Sequence, residues 1–192
     1  MNTFFQKMIR ASKLDRTLFQ EVEGDEGSTM QAVLIMLFSS ICAGAGLALS
    51  GILSNEELYA ILSIGMFASI AGWFMWSFIV YILGTTLFKS PKTSATYLKL
   101  MRTVGFSASP GVLRLLIFIP GIGIFIDIGV QIWSLAASVI ALQQSLDLSV
   151  AKATGLCISG WIIYAVFLIG IFQTLGIPLL PQMPGAPIPA VK

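Results

Sequence analysis

The sequence contains no histidine, only two cysteines among its 192 residues, and only 10% charged residues. Without histidine, the commonest protein ligand of haem iron and of zinc is missing, so we expect no cofactor and no metal. The two cysteines, Cys42 and Cys157, fall in different predicted helices at depths that differ by about 12 Å at the helical rise per residue. A disulfide between them is therefore excluded, and both are predicted to be apolar packing residues.

Charge is scarce because the chain is largely apolar, with 56% hydrophobic residues and a net charge of only +2. Soluble domains carry about 25% charged residues, whereas a bundle of helices in a bilayer needs charge only at its two ends. The composition therefore predicts an all-α polytopic membrane protein, with the lipid bilayer as its surroundings and no nucleic-acid partner.

One crossing of a bilayer needs about 20 apolar residues. The first long apolar run follows no small-residue cleavage site, so we expect it to be retained as a helix. Five crossings are predicted, at residues 30–53, 58–83, 104–119, 121–142 and 153–175. Because the third is short and contains Pro110, a re-entrant hairpin of residues 104–142 stays open as the alternative to two full crossings.

Lysine and arginine favour the cytoplasmic side of a membrane. They occur before the first crossing and in the second and fourth loops, at Lys7, Arg10, Lys13, Arg16, Lys89, Lys92, Lys99, Arg102 and Lys152. The first and third loops contain none. This distribution predicts a cytoplasmic N-terminus and a C-terminus on the opposite side.

We expect three regions: an N-terminal amphipathic region at 1–28, a transmembrane domain at 29–175 and a proline-rich, extended tail at 176–192. In the first region, apolar residues at near-helical spacing alternate with basic ones, as in a helix that lies at the membrane interface. A frayed terminus is the alternative. Residues 14–23 predict a second short helix with Asp15 as its N-cap, and Ser28 or Thr29 is placed to cap the first crossing.

Small residues four apart let membrane helices approach closely. The sequence has such pairs at Gly44 and Ala48, Gly46 and Ser50, Gly65 and Ser69, Ser134 and Ser138, and Gly155 and Ser159. They predict packing within the bundle, with contact to another subunit as the alternative. The four tryptophans, Trp73, Trp76, Trp133 and Trp161, lie inside predicted crossings, and we expect them to fill the interior.

Arg114 and Asp127 are the only ionisable residues in the third and fourth predicted crossings. They lie equally far from a turn predicted at Pro120-Gly121, so two antiparallel helices bring them to the same depth. We predict an ion pair, because an unpaired charge in a bilayer costs at least about 2.5 kcal/mol.

Gln131 is placed to add a hydrogen bond to this pair, and Pro110 breaks the helix one turn before Arg114. The simplest interpretation is a structural clamp between helices. A substrate, lipid-headgroup or coupling-ion site at a broken helix and an arginine reaching the outer headgroups are the alternatives.

The order of these segments resembles a known family. An N-terminal LDRTLFQEVE precedes the first apolar helix, and a basic loop ends in LMRTVGFSASPGVLRLL. An IPGIG turn, a helix containing WSL and the stretch LQQSLDLSVAKATG follow. Over roughly residues 14 to 175 the chain is similar to prokaryotic members of the Yip-domain family, relatives of the eukaryotic Ypt/Rab-interacting proteins.

The resemblance implies five helices, a cytoplasmic N-terminal region and the plasma membrane of a prokaryote. For the eukaryotic relatives it implies vesicle traffic through prenylated GTPases. It brings no catalytic signature, and at Asp127 the family pattern favours an apolar or small residue, so no functional residue is transferred.

Catalysis is not expected, because the chain has no nucleophile elbow, no phosphate-binding glycine loop and no pair of carboxylates at a catalytic spacing. We predict a non-catalytic interaction or scaffold protein, an accessory subunit that docks on other integral membrane proteins. The alternative is a small-solute or ion transporter that uses Arg114 and Asp127 within the membrane.

Overall fold

A computed structural model describes residues 3–50, 55–88 and 96–174. The described residues are helical, in this order: α1 (Phe4–Ser12), α2 (Arg16–Gly24), α3 (Ser28–Leu49), α4 (Asn55–Thr86), α5 (Tyr97–Ser107), a 3₁₀ helix (Ser109–Phe118), α6 (Gly123–Leu146) and α7 (Val150–Thr174). The predicted tail at 176–192 and most of the second predicted loop lie outside these ranges.

Within the described residues, four helices are long and apolar enough to cross a membrane, namely α3, the Ser69–Thr86 part of α4, α6 and the Val150–Ile171 part of α7. The prediction of an all-α, multi-pass membrane protein is confirmed at this level. The predicted crossing at 104–119 differs, because it is not one α-helix. Its first residues end α5, and the remainder is the 3₁₀ helix.

The change of helix type occurs at Pro110, which lies in the first turn of the 3₁₀ helix. Proline has no N–H, so the carbonyl of Phe106, four residues earlier, lacks its usual donor. The hydroxyl of Ser109 donates to this carbonyl over 2.7 Å. The hydroxyl of Ser39 donates to the Ala108 carbonyl over 2.9 Å, and that carbonyl also accepts from the Gly111 backbone. A 3₁₀ helix rises about 2.0 Å per residue against about 1.5 Å in an α-helix, so this segment reaches farther than an α-helix of equal length.

The α5 and 3₁₀ helices run side by side with α3, in the same direction. A Cβ atom added to Gly105 would meet the side chain of Ala32 at 2.6 Å, and one added to Gly46 would collide with the carbonyl oxygen of Arg114. Ser39, midway along α3, bonds to Ala108 between these two levels. The two glycines therefore permit close backbone approach at both ends of the shared length.

Apolar residues form the buried core and also cover the outward faces of the bundle, while small polar groups pair inside it. Hydroxyl groups meet between α5 and α6, where Thr103 and Ser145 are 2.7 Å apart and Ser107 and Ser138 are 2.9 Å apart. The outward faces of α6 and α7 instead carry large apolar side chains more than half exposed, including Ile124, Phe125, Ile132, Ile162 and Val166. Exposed apolar area on this scale fits surroundings of lipid and not water.

The helices α1 and α2 form a hairpin that packs against α5, α6 and the 3₁₀ helix. Leu18, Phe19 and Val22 of α2 are fully buried, so this N-terminal segment is not a frayed terminus. Asp15 is the N-cap of α2, as the sequence predicts, and accepts a hydrogen bond from the Thr17 backbone. The start of α3 differs from the prediction, because its N-cap is Gly27 and no side-chain hydrogen bond caps it.

The prediction that all four tryptophans fill the interior is wrong for two of them. Trp73 is buried and its indole donates to the Met101 carbonyl over 3.2 Å. Trp161 is 55% exposed, and Trp133, 39% exposed, donates to the Ser12 carbonyl of the hairpin over 2.7 Å. A tryptophan within an apolar run can face lipid or a neighbouring helix, and the run alone does not distinguish these positions.

Candidate functional site

Arg114 lies on the 3₁₀ helix and Asp127 in the first turns of α6, on either side of a turn in which Gly121 takes a φ of 81°. Arg114 Nε donates to Asp127 Oδ1 over 2.9 Å, with the two side chains 25% and 45% exposed. The prediction that both residues lie at the same depth assumed an α-helix on each side of the turn. Because the 3₁₀ helix rises more per residue, Arg114 lies about 3 Å farther from the turn than predicted. The long arginine side chain spans this difference.

The structure does not join the other predicted members of the site to this pair. Gln131 is exposed, and among the described residues no hydrogen bond joins its side chain to Asp127. The Phe106 carbonyl that Pro110 leaves without its usual partner is bonded by Ser109 and not by Arg114. Arg114 and Asp127 therefore form a two-residue contact, with Pro110 setting the helix type from which Arg114 projects.

A cavity of about 560 Å³ lies beside the pair and is lined by residues from α3, α4, α5, the 3₁₀ helix, α6 and α7. Its polar lining consists of Arg114, Gln131, Tyr164 and the serines Ser39, Ser40, Ser69, Ser107, Ser134 and Ser138. Its aromatic lining consists of Trp73, Trp76 and Trp161. The volume falls in the range of about 300 to 1,000 Å³ that holds small ligands.

The small residues singled out in the sequence pack within the bundle where the structure describes their side chains. Gly44 is buried, and Gly46 lies against the 3₁₀ backbone. A Cβ atom on Gly155 would meet the Phe88 ring at 3.4 Å. Ala48 is half-buried, and the hydroxyls of Ser50 and Ser159 donate to carbonyls of their own helices. These contacts occupy the glycine positions, so a partner would need a different surface.

Two basic residues have structural positions that sequence reasoning missed. Arg102, counted as a loop charge, lies in α5 and is only 7% exposed. Its Nε donates to the Thr29 hydroxyl over 2.7 Å, and its Nη1 donates to the Glu23 carbonyl over 3.0 Å. That carbonyl is in the last turn of α2, where the helix dipole favours a positive charge. The signal available in the sequence was the apolar run that immediately follows Arg102.

Lys7, counted as a residue that faces the leaflet, is 6% exposed. Its Nζ donates to Asp25 Oδ2 and to the Ser28 hydroxyl, each over 3.1 Å. Hydrogen bonds from Ser28 and from Lys7 lower the pKa of Asp25 from its ordinary value. Lys7 therefore fastens α1 to the start of α3.

Arg10 ties the two hairpin helices together. It donates to Asp15 Oδ2 and to Glu21 Oε2, each over 2.7 Å, and to the Thr17 hydroxyl over 3.0 Å. Hydrogen bonds from Thr17 and from Arg10 lower the pKa of Asp15 to about 2. The cluster neutralises Arg10 where the hairpin meets the apolar bundle.

Within residues 3–50, 55–88 and 96–174, no three histidine, cysteine, aspartate or glutamate side chains lie close enough to hold a metal ion. Cys42 and Cys157 are both buried and free. The contact of Arg114 with Asp127 offers hydrogen bonding and charge pairing.

The family model of the Yip1 domain matches residues 15–172. The chain belongs to the Yip1 domain family. The match begins at the N-cap of α2 and ends within α7, so it includes α2, residues of all six segments that line the cavity, and both Arg102 and Arg114. No curated protein and no solved structure matches the chain. The predicted membership is confirmed, and the protein is a multi-pass membrane protein of this family.

Proposed function

We propose that this Yip1-domain protein is a non-catalytic membrane scaffold that docks, as an accessory subunit, on a larger complex of integral membrane proteins. The observation that carries the proposal is the fixed N-terminal hairpin. Its apolar face is buried, and Arg102 holds its second helix from within the bundle. A surface that is ordered before binding loses less conformational entropy when a partner arrives.

The exposed face of α2 is polar. Arg16, Thr17 and Gln20 are exposed on it, and Gln20 lies at the edge next to α6, where it donates to the Gln144 side chain over 2.8 Å. A rigid polar surface of this kind suits a partner's polar segment at the membrane boundary. Exposed Gly129 and Gly170, with no atom near their Cβ positions, would let a partner's helix approach α6 and α7 closely.

We further propose five crossings, with the hairpin at the cytoplasmic boundary of a prokaryotic plasma membrane, the N-terminus on that side and the C-terminus on the other. The shared course of α3 and the α5–3₁₀ pair supports a full crossing by residues 103–118. From Thr103 to Phe118 the combined rise is about 28 Å, close to the hydrocarbon thickness of about 30 Å.

The exposed Phe5 and Ile9 of α1 favour immersion of one hairpin edge in the interface. Cysteine labelling tests this topology, since Cys42 and Cys157 are buried and give a low background. Ile122→Cys, in the turn and 49% exposed, should react with a membrane-impermeant maleimide in intact cells. A cysteine at this position that stays unreactive even after the membrane is opened would instead favour the re-entrant hairpin, whose turn lies within the membrane.

The scaffold proposal is tested by photo-cross-linking in cells from two exposed positions. A cross-linking residue at Thr17, on the exposed face of α2, should yield a fixed set of integral membrane proteins. The same residue at Leu87, exposed just after α4 and outside the proposed docking surfaces, is the matched control and should yield none. Recovery of a monomer with no cross-linked partner from either position, together with a monomeric mass in mild detergent, would contradict an accessory-subunit role.

A transporter is the second candidate, and the cavity beside Arg114 is the observation that favours it. Solute movement by the purified monomer in liposomes would support this candidate against the scaffold. Five crossings without a visible inverted repeat provide little structure for alternating access.

A further inference from the structure

We propose that the cavity lined by Arg114 receives the headgroup region of one zwitterionic phospholipid, with the phosphate on the guanidinium of Arg114 and the amine reaching the carboxylate of Asp127, which adjoins Arg114 outside the cavity lining. This site is independent of the scaffold function, because it lies inside the bundle and not on the surface of the hairpin.

The first step concerns the hydrogen-bond donors of Arg114. A guanidinium has five N–H donors, and the contact with Asp127 uses the one on Nε. Arg114 Nη1 lies near Gly111, 3.9 Å from the position that a Cβ atom would take there, and the Ser39 hydroxyl lies 3.0 Å from the same point. Ser39 lines the cavity, so Nη1 is on the cavity side of the pair. A phosphate can accept two parallel hydrogen bonds from such a group.

The second step concerns charge. Asp127 compensates Arg114 one for one, so the site as a whole is neutral. An anionic ligand would add a net charge in an apolar environment and would lie close to a carboxylate, which is costly. The Asp127 side chain is 45% exposed, and the contact with Arg114 involves only Oδ1. A headgroup that carries one charge of each sign therefore matches the site better than an anion does.

The third step concerns the remainder of the ligand. Beyond its polar groups, the cavity is lined by Met36, Ala43 and Leu168 together with the tryptophans, which suits an acyl chain. The indole N–H of Trp76 is buried and has no hydrogen-bond partner among the described residues, so an ester oxygen in the cavity would satisfy it.

The fourth step concerns access. Two lining side chains, Gln131 of α6 and Trp161 of α7, are exposed. The cavity therefore reaches the side of the bundle, where the neighbouring outward faces of α6 and α7 are apolar. A lipid can enter from the bilayer by this route, whereas a soluble ion would have to cross an apolar surface.

The test uses the full chain in a neutral maltoside detergent and measures binding by calorimetry and by native mass. The probe is dihexanoyl phosphatidylethanolamine, compared with anionic dihexanoyl phosphatidylglycerol, with dihexanoylglycerol and with inorganic phosphate. We expect saturable binding of one phosphatidylethanolamine, at least about tenfold tighter than that of the other three.

Two variants separate charge from folding. In Arg114→Gln/Asp127→Asn the pair is neutral and can still form a hydrogen bond, and we expect the advantage of phosphatidylethanolamine over dihexanoylglycerol to disappear. In Asp127→Asn alone the site becomes cationic, and the preference should shift to phosphatidylglycerol. Ser159→Ala, on α7 but not in the cavity lining, is the matched control and should bind as the unaltered protein does.

Equal binding of all the lipids, or tight binding that survives in Arg114→Gln/Asp127→Asn, would overturn the proposal. If inorganic phosphate binds as tightly as phosphatidylethanolamine, the site binds a free anion, and the proposal that it binds a phospholipid is overturned. If the double variant fails to fold, the lipid selectivity of Asp127→Asn still tests the proposal. A preference for phosphatidylethanolamine that is unchanged in this variant would contradict recognition of the headgroup by the charged pair.

Discussion

Two arginines, Arg102 and Arg114, lie twelve positions apart on the α5–3₁₀ segment. Each places a positive charge within the helix bundle, but the groups that accept its hydrogen bonds differ. Arg102 is almost fully buried and is held by uncharged acceptors, a hydroxyl and a carbonyl at the end of α2. Arg114 is partly exposed and is held by a carboxylate. The N–H groups of Arg102 bond the hairpin to the bundle, whereas Arg114 has N–H groups that are not used by Asp127 and that face the cavity. A buried arginine thus need not have a charged partner, provided that fixed dipoles surround it.

The largest expected effect separates the two arginines directly. Arg102→Met removes two charge-assisted hydrogen bonds and leaves two partly buried acceptors without this donor, so we expect a loss of about 3 kcal/mol in the free energy of unfolding. Unfolding in mixed micelles, followed by tryptophan fluorescence, measures it. Lys152→Met, at an exposed position, is the control and should change stability little. If Arg114→Met lowers the free energy of unfolding as much as Arg102→Met does, the inference that Arg102 contributes more to stability is wrong.

The next effect concerns the close backbone contact between α3 and the 3₁₀ helix at Arg114. Gly46→Ala places a methyl group against the carbonyl of Arg114 and the side chain of Ile117, so α3 and the 3₁₀ helix must separate. We expect a loss of about 2 kcal/mol by the same unfolding measurement, as for other overpacked interiors. Gly170→Ala, in α7 with open space around it, is the matched control and should be neutral or slightly stabilising. A neutral Gly46→Ala would show that the segment can move away at little cost.

A smaller effect is expected for the ion pair itself. Arg114→Ala and Asp127→Ala should each cost about 1 to 2 kcal/mol, below the 3 to 5 kcal/mol of fully buried pairs, because both side chains are partly exposed. The double variant should lose less than the sum, with a coupling energy of about 1 kcal/mol. Strictly additive losses would mean that the contact contributes nothing to stability.

The smallest effect is a dependence on pH at the hairpin. The pKa of Asp15 is about 2 in the folded protein, below its ordinary value, so its contribution is complete above about pH 4 and is lost as the pH falls toward 2. As the hairpin loosens, the contact of Trp133 with Ser12 should break and the Trp133 emission should change.

Asp15→Asn should remove much of this acid transition. Arg114→Ala and Asp127→Ala should show the same change of Trp133 emission with pH as the unaltered protein. An acid transition that is unchanged in Asp15→Asn would assign it to another carboxyl, for which Asp25 is the first candidate because its pKa is also lowered.

The candidate site was predictable from the sequence to the extent that its residues are exceptions within apolar runs. Arg114 and Asp127 each stand alone in such a run, and Pro120-Gly121 supplies a point from which to count, so their proximity follows from spacing. Arg102 lies at the edge of a run, where a charge looks like an ordinary loop residue. Its burial depends on α2, which is distant in the chain and packs over α5. The same limit applies to Lys7.

The sequence is enough to show that this is a helical membrane protein of the Yip1 domain family, because the length of the apolar runs, the positions of the basic residues and the order of the segments are properties of the chain that packing does not alter. Tertiary structure alone decided that residues 109–118 take the 3₁₀ form, that the N-terminal helices cover the bundle, and that a polar cavity remains between six helices. Each of these depends on which side chains meet across helices, and in a bilayer that choice is made by close packing and hydrogen bonds and not by the hydrophobic pattern.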